Sequence, residues 1–207
     1  MKPLSGRKQG PLGALRRRAA FVLDGALRLA VFAATRLLYR MDVRGLENLP
    51  DGPALLVSNH ISYLDALFLI ASQRRRIHFL MTREIYEGWF LITPVFRAMG
   101  CIPIEMSDPP KKIIASLRRA REWMDEGDLV CIFAEGGLTR IGMLREFRKG
   151  FTKIVKNSSY PIVPVYIGGA WGAFTSYHQG HLRTRWGGFR RYPVTVLFRA
   201  ALPATSP

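Results

Sequence analysis

The chain has 207 residues, of which 48 % are apolar and 22 % charged. This is enough for one domain with a substantial core and excludes an intrinsically disordered chain. Lys and Arg outnumber Asp and Glu by 31 to 15, and the net charge of +16 favours anionic partners such as nucleic acid, anionic lipid or acidic substrates. Cys101 and Cys131 lie in short apolar runs. We therefore predict reduced core thiols and a reducing, cytoplasmic setting.

The first forty residues divide into a basic arm and an amphipathic helix. Residues 1–13 combine Pro, Gly and basic residues, which predicts a disordered arm. A helix is predicted over 14–41, because most polar side chains there share one narrow stripe of a helical wheel. That stripe contains Arg17, Asp24, Arg28 and Thr35. Charges within the apolar stretch argue against a signal peptide or a spanning helix. We interpret it as a helix in a membrane interface with its basic residues toward water. The alternative is a helix packed on the domain's own core.

Residues 42–207 alternate short apolar runs with segments at helical spacing. Strands are predicted over 54–58, 77–81, 100–104, 129–133, 162–167 and 194–198. Helices are predicted over 64–72, 84–99 with a break at Pro94, 109–126, and near 147–157. This alternation predicts a single α/β domain with a largely parallel sheet flanked by helices. Functional residues of such sheets gather in loops past the carboxyl ends of the strands.

The first such loop carries a histidine and an aspartate. His60 directly follows a predicted strand, and Asp65 lies five residues later, early in the next helix. Histidine suits general-base chemistry near neutral pH, and a carboxylate on its far nitrogen fixes the tautomer. The alternatives are an ordinary loop histidine beside a helix-capping Asp65, or a nucleophilic Ser58 or Ser62 activated by His60. The chain contains no Gly-x-Ser-x-Gly elbow to support the nucleophile.

The second loop is rich in glycine and follows the strand predicted over 129–133. Gly136 and Gly137 let the backbone approach a ligand closely, and backbone N–H groups with Arg140 could hold a phosphate. Glu135 could bond a hydroxyl or orient a base. The alternative is a plain surface turn.

Together the two loops resemble the glycerolipid acyltransferase family of the lysophosphatidic acid acyltransferase type. The resemblance rests on Asn59-His60-x4-Asp65, the FAEG segment at 133–136, GCIPI at 100–104 and IVPV at 162–165. It extends from about Val43 to Pro203. The CIFAEGGLTRIG segment at 131–142, with FRKG at 147–150 and GAWG at 169–172, looks closest to the acyltransferase module of bacterial lysophospholipid-recycling fusion proteins.

The resemblance implies direct transfer of a fatty acyl group from acyl-CoA or an acyl carrier protein to a lipid hydroxyl. His60 would take the hydroxyl proton and Asp65 would orient His60. The implied substrate-binding residues are Asn59, Glu135, Gly136, Gly137 and Arg140. No metal or redox cofactor is implied, although His178 and His181 have the spacing of metal ligands.

The chain departs from the family pattern at two places. Glu135 to Arg140 is two residues longer than the usual Glu-Gly-Thr-Arg, and Met106 stands where the family has an arginine that reads the acceptor phosphate. The second departure favours a lysophospholipid over 1-acylglycerol-3-phosphate. The expected partner is an anionic membrane surface at the cytoplasmic face of the inner membrane, bound peripherally or monotopically, and not nucleic acid. A nucleic-acid-binding protein, a catalytically silent membrane module and a hydrolase are the alternatives.

Overall fold

Residues 11–88, 90–173, 175–178 and 191–204 are described by the computed structural model, apart from the side chains of residues 11–24 and Lys149. Most of the predicted basic arm and His181 lie outside these residues. Helix α1 spans Pro11–Leu38, so it begins and ends three residues before the predicted limits of 14 and 41. Strand β1, Tyr39–Arg44, follows it at once and was not predicted.

The described strands form one seven-stranded sheet. They are β1 Tyr39–Arg44, β2 Ala54–Ser58, β3 Ile77–Thr82, β4 Ile102–Ile104, β5 Leu129–Phe133, β6 Ile162–Gly168 and β7 Tyr192–Phe198. Their order across the sheet is β1-β7-β6-β2-β5-β3-β4. The five strands from β6 to β4 are mutually parallel, whereas β7 is antiparallel to β6 and β1 is parallel to β7. The predicted α/β class with a largely parallel sheet is confirmed.

The helices cover the sheet in short segments. They are α2 Asp65–Ser72, α3 Arg83–Gly88, α4 Thr93–Ala98, α5 Pro110–Asp125 and α6 Thr152–Val155. The helix predicted over 84–99 is thus two helices, and Pro94 lies in the first turn of the second, where its missing N–H costs no hydrogen bond. The helix predicted near 147–157 is only a 3-10 turn at Lys149–Phe151 followed by the single turn of α6.

The position of β2 at the centre of the sheet explains why its first four residues are all apolar. All five of its residues are buried. Ala54 and Leu56 pack in the apolar cluster on one face of the sheet, and Leu55 and Val57 pack in the cluster on the other. Successive side chains of a strand point to opposite faces, so a strand covered on both faces must be apolar throughout.

Helix α1 turns Arg28 and Thr35, the described part of its polar stripe, toward the domain, which corrects the predicted orientation toward water. Thr35 is buried, Arg28 is half-buried, and Val31, on the same face, packs against the core. Leu29 and Leu37 instead are exposed on the outward face. Among the described residues, no helix has an apolar stretch long enough to span a bilayer.

Candidate active site

Three loops meet at one edge of the sheet because β5, β2 and β6 are parallel neighbours. Residues 59–64 follow β2, residues 134–148 follow β5, and the loop beginning at Gly169 follows β6. We call this edge the catalytic edge. The backbone already links the first two loops there, since the Ala134 N–H donates to the Ser58 carbonyl at 3.1 Å and the Thr139 N–H donates to the His60 carbonyl at 2.9 Å.

His60 and Asp65 form the predicted pair. His60 Nδ1 lies 2.8 Å from Asp65 Oδ2, and the backbone N–H groups of Ile61 and Ser62 donate to the same oxygen at 2.6 and 2.9 Å. Asp65 is fully buried as the first residue of α2. The five-residue spacing works because His60 lies in the loop and only Asp65 lies on the helix. The three donors fix the carboxylate, and the carboxylate in turn fixes the imidazole.

The histidine ring is oriented with its second nitrogen free for chemistry. The ring stacks on Phe133 with centroids 4.2 Å apart and planes 13° apart, and 20 % of the side chain is exposed. Because a carboxylate can only accept, we assign the proton to Nδ1. Nε2 then carries the lone pair, and no hydrogen bond from a described residue reaches it. This is the arrangement of a general base.

The buried Glu135 side chain links the two loops by hydrogen bonds. It is only 2 % exposed, and its two carboxylate oxygens accept from different segments of backbone. Oε1 accepts from the His60 N–H at 2.8 Å, and Oε2 accepts from the Arg145 N–H at 2.9 Å. The sequence suggested that Glu135 binds substrate or orients the base. The structure places it behind His60, where it acts as a positioning residue, and its contact with substrate stays a prediction.

The Asn59 side chain likewise hydrogen-bonds to the backbone. It is buried, its Nδ2 donates to the Ile167 carbonyl and its Oδ1 accepts from the Ile167 N–H, each at 2.8 Å. The side chain thereby joins the end of β2 to β6 and leaves His60 at a fixed place. These bonds give Asn59 a structural role, and its predicted contact with substrate stays a prediction.

The glycine pair makes room for two arginines. Gly136 has φ +67°, and a Cβ there would lie 2.6 Å from Nε of Arg148; a Cβ on Gly137 would lie 3.2 Å from Nη1 of Arg145. The groups that approach Gly136 and Gly137 in the structure are guanidinium groups of the same chain, and the approach of a ligand stays a prediction. Sequence reasoning missed both arginines. Arg148 lies in the FRKG segment at 147–150 and Arg145 lies just before it. Nothing in that local sequence indicates that the chain returns to the two glycines.

Arg140 lies at the outer side of the catalytic edge, near two tyrosines. Its guanidinium carbon is 6.0 Å from the Tyr177 ring centroid, and the Tyr177 and Tyr63 hydroxyls are 2.7 Å apart. Burial and the hydrogen bond to Tyr177 raise the pKa of Tyr63 to about 12. The Tyr63 hydroxyl is therefore neutral at physiological pH. One of the two hydroxyls donates to the other, and the accepting hydroxyl keeps its own proton to donate to a ligand. Neither tyrosine was singled out from the sequence.

The alternative nucleophiles are bonded elsewhere. Ser58 Oγ donates to the Asn59 carbonyl at 3.1 Å, and Ser62 Oγ lies 2.8 Å from Thr175 Oγ1. Both serines are fully buried, and neither hydroxyl hydrogen-bonds to His60. Within the described part of the chain, no group of three His, Cys, Asp or Glu side chains is placed to hold a metal ion.

Comparisons with known proteins identify the family of the chain. The family model described as Acyltransferase matches residues 40–168. A 1-acyl-sn-glycerol-3-phosphate acyltransferase from Brassica napus (BAT2, chloroplastic) is 33 % identical over 137 residues, 63 % of this chain and 38 % of that protein. One from Pseudomonas aeruginosa is 29 % identical over 160 residues, 75 % of this chain and 60 % of that protein.

The fold has a counterpart among solved structures. The crystal structure of the 1-acyl-sn-glycerophosphate acyltransferase PlsC from Thermotoga maritima superposes with a TM-score of 0.67 at 20 % identity, over 91 % of this chain and 72 % of that one. At this identity the likeness supports the fold alone. The match of the family model over more than half of the residues is decisive: the chain belongs to the Acyltransferase family.

Proposed function

We propose that this protein is an O-acyltransferase that moves a fatty acyl group from acyl-CoA or an acyl carrier protein to the hydroxyl of a lysophospholipid or 1-acylglycerol-3-phosphate. The observation that carries the proposal is the His60–Asp65 pair, with Nε2 of His60 open at the catalytic edge. The names of the Brassica and Pseudomonas relatives support the reaction class. The setting proposed is the cytoplasmic face of the inner membrane, in phospholipid synthesis or remodelling.

The proposed reaction needs only a base, a thioester and a hydroxyl. Nε2 of His60 takes the proton of the acceptor hydroxyl as its oxygen attacks the thioester carbonyl. Asp65 stabilises the imidazolium that forms, because its buried oxygen already bonds Nδ1 at 2.8 Å. When the tetrahedral intermediate collapses, the thiolate leaves and takes the proton from Nε2. The products are an oxygen ester and a free thiol, and His60 is returned to its neutral form without any cofactor.

The arginines around the second loop support an acceptor that carries a phosphate. Arg140, Arg145 and Arg148 are exposed, and none pairs with a carboxylate among the described residues. Guanidinium groups bind phosphate with paired, charge-assisted hydrogen bonds. Met106 is exposed in the turn after β4, where the family pattern has an arginine. We therefore favour a lysophospholipid with a substituted head group as the acceptor.

The proposed membrane association draws on charge and on α1. The net charge of +16 favours an anionic surface, and the outward leucines of α1 offer an apolar face to a bilayer. We propose peripheral or monotopic binding and no role in nucleic-acid binding, since the apolar face would serve no purpose on nucleic acid.

The test is an acyl-transfer assay with the purified protein and anionic vesicles. Labelled acyl-CoA or acyl carrier protein is supplied with a panel of lysophospholipids and 1-acylglycerol-3-phosphate, beside the His60→Ala variant. We expect acylated lipid only when an acceptor is present, and none from the variant although it remains folded. Fatty acid released without acceptor, with an acyl group trapped on Ser58 or Ser62, would point to a hydrolase instead. Binding to vesicles with no acyl transfer from either donor would indicate a catalytically silent membrane module.

A further inference from the structure

The loop after β5 carries an apolar tip that does not fold back onto the domain. Ile141, Met143 and Leu144 are 72 %, 67 % and 66 % exposed. They stand within four residues of one another, at the catalytic edge. Contiguous exposed apolar side chains of this kind mark an interaction surface rather than ordinary surface variation. We call residues 140–148 the tip loop.

The exposure is built into the loop by its anchors. The Thr139 N–H donates to the His60 carbonyl at 2.9 Å, and Thr139 Oγ1 donates to the Met143 carbonyl at 2.7 Å. At the other end, the Arg145 N–H donates to Glu135 at 2.9 Å. Thr139 and Glu135 are both buried. The tip therefore projects from a stem whose backbone is held in place by these bonds.

A glycine shapes the tip itself. Gly142 has φ +76°, and a Cβ there would lie 2.6 Å from the Trp171 ring. The turn between Ile141 and Met143 thus rests on the indole, with the apolar side chains on either side left exposed. Trp171 comes from the loop after β6, so the tip is supported from two of the three loops at the catalytic edge.

The charge around the tip identifies the kind of partner. Arg140, Arg145 and Arg148 flank the apolar residues, and Glu146 is the one acid within the tip loop. The arginines have no carboxylate partner in the part of the chain that is described. Apolar side chains between unpaired cations match an anionic bilayer, which offers acyl chains below a layer of phosphates. A protein groove would have to provide both features within one small patch.

The tip loop and α1 lie at the same edge of the sheet. Strands β1 and β7 run opposite to the central strands, so Tyr39 and Tyr192, which begin them, lie at the catalytic edge. The exposed Leu37 and Leu38 immediately precede Tyr39. Two exposed apolar segments from distant parts of the chain therefore flank His60 on the same edge.

We propose that the tip loop is a membrane-docking element that inserts Ile141, Met143 and Leu144 into an anionic lipid bilayer. Because Thr139 and Glu135 tie the loop to the backbone of His60, insertion fixes the height of Nε2 above the acyl chains. An acceptor lipid then reaches His60 without leaving the bilayer. This last consequence rests on the proposed acyl transfer, whereas the insertion itself does not.

A fluorescent probe at position 144 tests the insertion without any turnover. In the full chain, Leu144→Cys is labelled with an environment-sensitive maleimide, beside Leu202→Cys as the control. Leu202 is 44 % exposed, and its backbone pairs with Ile162 at the amino end of β6, on the edge opposite His60. Cys131 is buried, and burial raises the pKa of Cys101 to about 11, so the new thiol is labelled selectively near neutral pH.

We expect vesicles of phosphatidylglycerol to shift the probe at 144 to the blue and lipids brominated in the acyl chain to quench it, with neither effect at 202. High salt or pure phosphatidylcholine should weaken the effect. The Ile141→Ser/Leu144→Ser variant should partition into the vesicles about tenfold more weakly than Leu202→Ser. A probe at 144 that remains unquenched in vesicles to which the protein binds overturns the proposal. A quenched probe with no acyl transfer by the unmodified protein would leave the docking intact and defeat the proposed function alone.

Discussion

Replacing Glu135 with glutamine separates a positioning role from substrate contact. The side chain keeps its shape, but its amide nitrogen must face one of two backbone N–H groups, that of His60 or that of Arg145. One charge-assisted hydrogen bond is lost, and two donors face each other in a site that is 2 % exposed. Unsatisfied buried donors cost about 1–3 kcal/mol each, and a hydrogen bond to a charged group contributes about 1.5–3 kcal/mol. We expect a loss of about 3–5 kcal/mol in the free energy of unfolding.

Thermal unfolding followed by circular dichroism measures this loss. For a chain of this size, about 1 kcal/mol shifts the Tm by roughly 2–4 °C, so we expect a decrease of about 6–20 °C. The control is Glu146→Gln, which removes the same charge from an exposed position in the tip loop and should change stability by at most about 0.5 kcal/mol. A Glu135→Gln protein with unchanged Tm and a raised KM for the acceptor would refute the positioning role, because the carboxylate would then act on the substrate.

Two further expectations concern the catalytic pair and the cysteines. Asp65→Asn keeps an acceptor oxygen but removes the charge that stabilises the imidazolium, so kcat for acyl transfer should fall by about a thousandfold or more while KM changes little. The control is Asp42→Asn, on the surface beside Arg44, which should leave kcat unchanged. Equal losses of kcat in both variants would contradict the role of Asp65. Burial raises the pKa of the Cys131 thiol and brings that of Cys101 to about 11. Thiolate is therefore scarce at pH 8. Iodoacetamide should modify the native protein at least about a hundredfold more slowly than the urea-unfolded chain, as followed by mass spectrometry. Rapid modification of the native protein would show that these residues are not core thiols.

The central strands could be predicted to the residue, whereas the first strand could not. Strands β2 and β5 occupy the predicted ranges because both faces are covered and all their residues except Ser58 are apolar. Strand β1 alternates buried and exposed positions, with Arg40, Asp42 and Arg44 directed outward at the edge of the sheet. Charged side chains on an edge strand prevent pairing with strands of other molecules, but they also interrupt the apolar pattern from which a strand is predicted. Its beginning also merges with the apolar end of α1.

The candidate site was predictable in its chemistry but not in its supports. The spacing of His60 and Asp65 after a buried strand indicated the pair, because both partners lie in one local segment. Asn59 and Glu135 were recognised as polar residues at the right edge, but sequence does not distinguish a backbone partner from a ligand. Arg145 and Arg148 were missed because their contact with the glycines depends on how a long loop folds back, which no local pattern encodes.

Glu135 recognises main-chain atoms only, and this has an evolutionary consequence. Both of its partners are peptide N–H groups, at His60 and Arg145, which almost every amino acid supplies. Apart from Gly142, the residues between Thr139 and Arg145 can therefore vary without altering the hydrogen bonds that hold the His60 backbone. Selection on the lipids that the loop contacts can therefore act separately from selection on the catalytic chemistry. Related enzymes can change their lipid contacts while the chemistry is preserved.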